Sequence, residues 1–208
     1  FRFVSIDIHN QDQPGSTFVR RRFEFVFASP AKDFANAVYQ ELNDKQLLHL
    51  PVKVVACDEG AISRTEEMAQ ELLHHSQNHL HSLDVVFIKK IRSVAGKVDT
   101  AWIDKVEHWT LNPTDSISKS FPLTPSPENP SLEECVILLT DDMLDTCSTA
   151  SDDTNLVHAH YSRTRYTIFA ATHSVLSKGS ANLNKIAADL ILIGNTLFTD
   201  AIFDPGIN

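Results

Sequence analysis

Short apolar runs of strand length alternate along this chain with stretches of helical period, and that alternation restricts it to few folds. Val52 to Ala56, Cys135 to Leu139, Tyr166 to Ala171 and Leu190 to Ile193 read as core strands, with Val85 to Ile88 as another. Phe3 to Ile8 reads as a buried strand near the start. Phe23, Phe25 and Phe27 alternate as a half-buried strand should. Pro30 opens a helix to about Leu42 with Phe34, Val38 and Leu42 on one face, and proline suits a first helical turn. A second helix starts at Thr65-Glu66-Glu67-Met68 with Met68, Leu72 and Leu73 as its stripe, and another is expected around Leu183 to Ala187. The expected fold is α/β, a mostly parallel sheet flanked by helices.

The chain has 208 residues, 42% of them hydrophobic, enough for a real core in one large or two small domains. With 18 basic and 27 acidic side chains the net charge is −9, which argues against nucleic acid as a partner and leaves room for a local phosphate site. No apolar stretch reaches the roughly 20 residues of a membrane span, and no charged-then-apolar leader opens the chain. The start at Phe1, inside an apparent strand, reads as a removed targeting segment or as an entry in mid-domain. Cys57, Cys135 and Cys147 are odd in number and widely spaced, which argues against a disulfide framework and a structural zinc site. No Asn-x-Ser/Thr acceptor is present, since Asn112-Pro113-Thr114 carries the forbidden proline. The expectation is a reducing, cytoplasmic setting. Residues 111–130, rich in proline and serine, have little to bury and read as a surface insertion.

The chemistry concentrates in one string. The apolar run Val136-Ile137-Leu138-Leu139 leads through Thr140 to two adjacent acids, Asp141 and Asp142. Met143 and Leu144 follow, then a loop of Asp145, Thr146, Cys147, Ser148 and Thr149 that enters a helix. Open α/β sheets bind ligands beyond the carboxyl ends of their strands. A loop of small and hydroxylated residues offers amide N–H groups and hydroxyls to a phosphate, helped by the positive end of the next helix. Paired acids at the strand tip can accept hydrogen bonds from vicinal sugar hydroxyls. Taken alone, Asp141 and Asp142 would read as a helix cap and turn; the ordered string is what favours a ligand site.

This string resembles the phosphoribosyl-pyrophosphate (PRPP) motif of the type I phosphoribosyltransferase fold. Its Asp-Thr-Cys wording resembles one branch, the PRPP synthetases (ribose-phosphate pyrophosphokinases). Val4-Ser5-Ile6-Asp7-Ile8-His9, followed by Gln11, Gln13 and Gly15, resembles that family's Asp-Leu-His strand and Gln-rich loop. Phe27-Ala28-Ser29-Pro30 is similar to the start of its next helix. Val54-Val55-Ala56-Cys57-Asp58-Glu59-Gly60-Ala61, with Arg64, resembles its Pro-Asp-x-Gly-Gly segment. Lys89-Lys90-Ile91-Arg92 stands where the family has a Lys-x-Arg flexible loop, and Ala171 to Ser177 with Asn195-Thr196 resemble its closing motifs. The resemblance spans residues 1–208 as the C-terminal, phosphoribosyltransferase-like part of such an enzyme, without the N-terminal half.

What the resemblance implies is transfer of the pyrophosphoryl group of MgATP to ribose 5-phosphate, giving PRPP and AMP. In that reading Lys90 and Arg92 are catalytic, meeting a need for positioning and charge neutralisation. Asp7 and His9 help bind Mg2+, with Glu24 and Asp58 as possible additions. Asp141 and Asp142 hold the ribose hydroxyls, and Asp145, Thr146, Cys147, Ser148 and Thr149 hold the 5-phosphate. Gln11 and Gln13 fall in a loop near the family's effector site. Partners implied are homo- or hetero-oligomers with chains of the same family. Three departures stand out. Ser148 replaces a usual glycine, and a side chain there is expected to disfavour positive φ and crowd the phosphate. Val19-Arg20-Arg21-Arg22 replaces an apolar and acidic stretch. The 111–130 insertion is similar to those of the family's non-catalytic regulatory subunits, which gives the second reading of the chain. A transferase moving ribose phosphate onto a base fits less well, because such enzymes lack the Asp-x-His and Lys-x-Arg segments.

Other signals carry less. His75 and His79 stand at a zinc-pair spacing but without a Glu-x-x-His register, so a polar helical face is the better reading. His158-Ala159-His160 and His108-Trp109-Thr110 each imitate half of a two-part motif. Thr124-Pro125 and Ser126-Pro127 read as a disordered loop before they read as phosphorylation sites.

Overall fold

The computed structural model describes residues 2–6, 24–76, 79–80, 82–91, 93, 98–126, 128–194 and 196. Two strands, β1 (Arg2–Ile6) and β2 (Glu24–Ala28), form a parallel pair of their own. The remaining strands build one seven-stranded sheet: β3 (Val52–Ala56), β4 (Ser82–Ile91), β5 (Thr100–Leu111), β6 (Ile117–Ser120), β7 (Cys135–Leu144), β8 (Thr164–Ser174) and β9 (Leu190–Ile193). Their order is β6-β5-β4-β3-β7-β8-β9. The block from β4 to β9 is parallel, while β5 and β6 add an antiparallel meander at one edge. The sheet is thus mostly parallel, as the apolar runs require.

Alternation sorts the strand side chains onto two faces. Val52, Val54 and Ala56 of β3, with Val136 and Leu138 of β7, join Ala35, Val38, Leu42, Met68, Leu72 and Leu73. The last six come from α1 (Ala31–Asp44) and α2 (Ile62–His75), so both helices cover this face. Val55, Ile137, Leu139 and Phe169 point the other way and pack with Ala150 and Val157 of α3 (Ser148–His160). Two strand lysines share the α3 side. Lys53 is buried near the start of β3, 2.7 Å from both Asp84 and Glu133. Burial works against its charge, yet the two carboxylates raise its pKa above the ordinary lysine value.

Several elements depart from the sequence reading. β4, β7 and β8 are longer than their apolar cores. β5 and β6 were not legible, and Leu111 with residues 117–120 of the proline-serine stretch belongs to them. Around Leu183 the chain makes a 3-10 turn, Ser180–Lys185, with no buried residue, in place of the expected helix. Among the described residues no helix is long and apolar enough to cross a membrane.

Candidate functional site

The strand order places the site. From β3 the chain steps outward to β4 on one side, and from β7 to β8 and β9 on the other. The order therefore reverses between β3 and β7, whose parallel carboxyl ends flank the crevice where such sheets take ligands. Cys57 to Gly60 leave β3 there, and the Asp141–Thr149 string leaves β7 there.

On the β3 side, the Asp58 carboxylate accepts the Ala61 N–H at 3.1 Å and caps a short 3-10 turn (Glu59–Ala61) that feeds α2. Asp58, Glu59, Gly60 and Lys90 line a cleft of about 240 Å³. Beneath it, Thr65 Oγ1 donates to the Ala61 carbonyl at 2.8 Å and lies 2.6 Å from Thr140 Oγ1. Thr140 reaches the Val55 carbonyl at 3.3 Å, so buried hydroxyls tie the two loops to both strands.

On the β7 side, Asp141 and Asp142 are still part of the strand, with Asp141 beside Ala171 of β8. The acids stand at the rim of the sheet, one step earlier than a loop beyond the strand would place them. The Asp142 N–H donates to Asp141 Oδ1 at 2.8 Å. Asp141 lies against Pro30, Phe34, Arg64 and Met68, a mostly apolar wall. Burial pushes its carboxyl well above the usual carboxylate range, and the adjacent Asp142 and then Asp58 add to the push.

The phosphate-type loop follows. The Asp145 carboxylate accepts the Ser177 N–H at 2.9 Å, which lowers its pKa and pins the loop to the segment after β8. Thr146 and Ser148 hydroxyls lie 3.0 Å apart. Cys147 is buried and takes the left-handed conformation, φ 61° and ψ 5°, at the N-cap of α3. Ser148 is the first residue of that helix and is not among the positive-φ residues. The expected backbone conflict at Ser148 is therefore absent there and falls one residue earlier. Cys147 makes the reversal, so Ser148 can begin the helix with an ordinary φ. The first amides of α3 have no acceptor within the helix, and only three residues, Asp145 to Cys147, separate the helix from the end of β7.

Lys90 occupies an unexpected place. Val86 and Ile88 of β4 face α3, and Lys90 follows them by alternation onto the same side. Its Nζ lies 2.8 Å from the carboxylate of Asp153, with side-chain exposures of 4% and 1%. Asp153 sits on the inward face of α3 with Ala150, Thr154 and Val157. Burial raises its pKa, Lys90 opposes the rise, and the balance is pushed up to about 6. Sequence reading missed Asp153. The signal was an acid three residues after Ala150 and four before Val157, on an otherwise small or apolar helical face.

The remaining expected site residues divide simply. Asp7, His9, Gln11, Gln13 and Arg92, with residues 19–22, lie outside the described residues. Glu24 opens the β2 backbone, and its side chain lies outside the description. Among the described residues no group of three or more His, Cys, Asp and Glu converges to hold a metal ion. At the far side, His173 Nδ1 lies 2.5 Å from Thr196 Oγ1, which donates to the Thr172 carbonyl, so the closing motifs meet beside β8.

A mostly parallel sheet with an antiparallel edge, and a strand–acid–acid–loop–helix unit at its reversal point, is the α/β fold of type I phosphoribosyltransferases. Among solved structures the chain is similar to a phosphoribosylpyrophosphate synthetase from Mycobacterium smegmatis. The TM-score is 0.62 and the identity 22%, over 94% of this chain and 49% of that one. A hypoxanthine phosphoribosyltransferase from Staphylococcus aureus matches at TM-score 0.44 and 13% identity, over 79% of this chain and 72% of that one. The chain thus spans about half the length of the synthetase it matches. No family model matches the chain. No curated protein matches it in sequence.

Proposed function

We propose that the crevice between β3 and β7 binds ribose 5-phosphate, and that the chain is the ribose-phosphate half of a PRPP synthetase. The reaction joins the anomeric oxygen of the sugar to the β-phosphorus of MgATP, breaks the bond from that phosphorus to the α-phosphate oxygen, and releases AMP and a proton. The observation that carries this reading is the placement of Asp141–Thr149 at the reversal point of the sheet. The amides of Thr146 to Thr149 receive the 5-phosphate at the positive end of α3. Asp141 and Asp142 hold the ribose diol. Lys90 and Arg92 neutralise the migrating phosphates. Asp7 and His9, with Asp58 or Glu24 as additions, would help hold the Mg2+ of the nucleotide, which would neutralise charge on its phosphates. The chain works in an assembly with chains of the same family, in the cytoplasm.

A second reading, a non-catalytic regulatory subunit of the same family, is favoured by one observation: Lys90 lines the cleft, but its ammonium is tied up in a buried ion pair with Asp153. Isothermal titration with ribose 5-phosphate, with and without Mg2+, tests the binding claim shared by both. Heat that Asp142→Ala abolishes supports it, and no heat under either condition removes it. PRPP formation from MgATP then separates catalyst from regulator.

A further inference from the structure

We infer that Asp153 is an internal counter-ion that sequesters Lys90, so that this chain's own α3 competes with bound phosphate for the ammonium. The inference rests on the proposed reading of the crevice and adds a control on it.

Three observations converge. Lys90 lines the Asp58–Gly60 cleft, yet its ammonium is 2.8 Å from Asp153 and almost fully buried. Asp153 is more buried still and comes from the helix whose first turn forms the phosphate-type loop. Period explains why they meet: Lys90 continues the Val86, Ile88 face of β4, and Asp153 continues the Ala150, Val157 face of α3. Asp58 and Cys57 stand close enough to Asp153 to act on it, and Asp141 acts on Cys57, so the pair sits at an acidic edge of the crevice. Elsewhere at this end of β4, Lys89 is exposed. A polyphosphate entering the cleft therefore gains Lys90 only by drawing it from Asp153. Restraint acts on the transfer step, which needs cationic charge at the phosphates, and leaves capture of the 5-phosphate by α3 amides untouched. Asp153 is in this sense a positioning residue; it does not touch substrate.

The test reads Lys90 directly in the full chain, by labelling with an amine-reactive acyl ester and quantifying the peptides by mass spectrometry. In the wild type Lys90 is expected to label far more slowly than adjacent Lys89. Asp153→Asn removes the counter-charge that holds the Lys90 side chain in place and is expected to speed Lys90 labelling about tenfold, as the amine is released toward the cleft. Asp153→Glu is expected to restore slow labelling, which burial alone does not predict. Inorganic pyrophosphate with Mg2+ should bind Asp153→Asn about tenfold more tightly than wild type, while ribose 5-phosphate affinity stays the same. Equal labelling of Lys90 and Lys89 in the wild type overturns the inference, even if the Asn variant fails to fold. So does an unchanged Lys90 rate in a folded Asn variant. Loss of ribose 5-phosphate binding in the wild type would instead sink the crevice reading while the labelling result stood on its own.

Discussion

Cys147, at φ 61°, carries a backbone conformation that glycine adopts without cost, and Ser148 does not. A family pattern with glycine at position 148 suggests that Ser148→Gly would relieve strain. The geometry predicts otherwise. Glycine in the first turn of α3 adds backbone freedom to the unfolded chain and removes the hydroxyl beside Thr146, so Ser148→Gly should destabilise by about 0.5–1 kcal/mol in urea unfolding. Lys90 and Asp153 set a larger scale. Removing one member strands the other's charge, so Lys90→Met should cost about 3–5 kcal/mol, whereas Lys90→Met with Asp153→Leu should recover most of it. The pair also leaves a pH signature. The folded chain holds the Asp153 proton more tightly than the unfolded chain, because its pKa is pushed up to about 6. Its contribution is therefore full below the ordinary carboxylate pKa and is lost as pH rises from about 4 to about 6, a change of about 3 kcal/mol that Asp153→Asn should abolish. Urea unfolding across that window measures the difference between the two proteins.

Elements built on apolar runs were legible, and those built on an interrupted pattern were not. β3 and β9 coincide with their runs: β3 is buried throughout and is mostly branched and aliphatic, and β9 is a half-buried edge strand made only of leucine and isoleucine. β5 hid itself. Phe87 pairs with Lys105 and Ile88 with Ile103, so Asp104 is an extra residue, and Ile103 and Val106 reach the same face three positions apart. That spacing erases the period of two from which a strand is read. The meander nonetheless anchors the edge: Trp109 is fully buried, its Nε1 donating to Glu107 at 2.9 Å, and Trp109→Ala should cost about 3–5 kcal/mol in denaturant. At the other edge, Gly194 packs on β8 so closely that a Cβ would stand 2.5 Å from the Thr172 carbonyl oxygen. Gly194→Ala should therefore part β9 from β8, seen as faster hydrogen exchange at the Ile191 and Ile193 amides with α1 and α2 protected as before. The acid–acid–loop string was legible for the opposite reason to β5, since its order along the chain is also its order in space. The Lys90–Asp153 pair joins residues 63 apart in sequence and needed the packing of α3 on the sheet to be seen.

Across the whole molecule, one asymmetry organises the account. Strands leave the β3–β7 boundary in opposite directions, so the loops after β3 and β7 part and open a crevice that no other pair of parallel strands provides among the described residues. Hydroxyls of Thr65 and Thr140 tie the two sides together, the Asp145–Ser177 contact pins the loop after β7, and α3 begins directly after that loop. The central claim is that the first amides of α3 take the phosphate of a sugar phosphate. Backbone ¹H–¹⁵N spectra of the chain titrated with ribose 5-phosphate test it most directly. The account predicts saturable shifts concentrated at Thr146 to Ala150 and at Asp141 and Asp142, lost in Asp142→Ala. Shifts confined to the opposite end of the sheet, around Lys53 and Glu133, or no saturable shift at all, would contradict it.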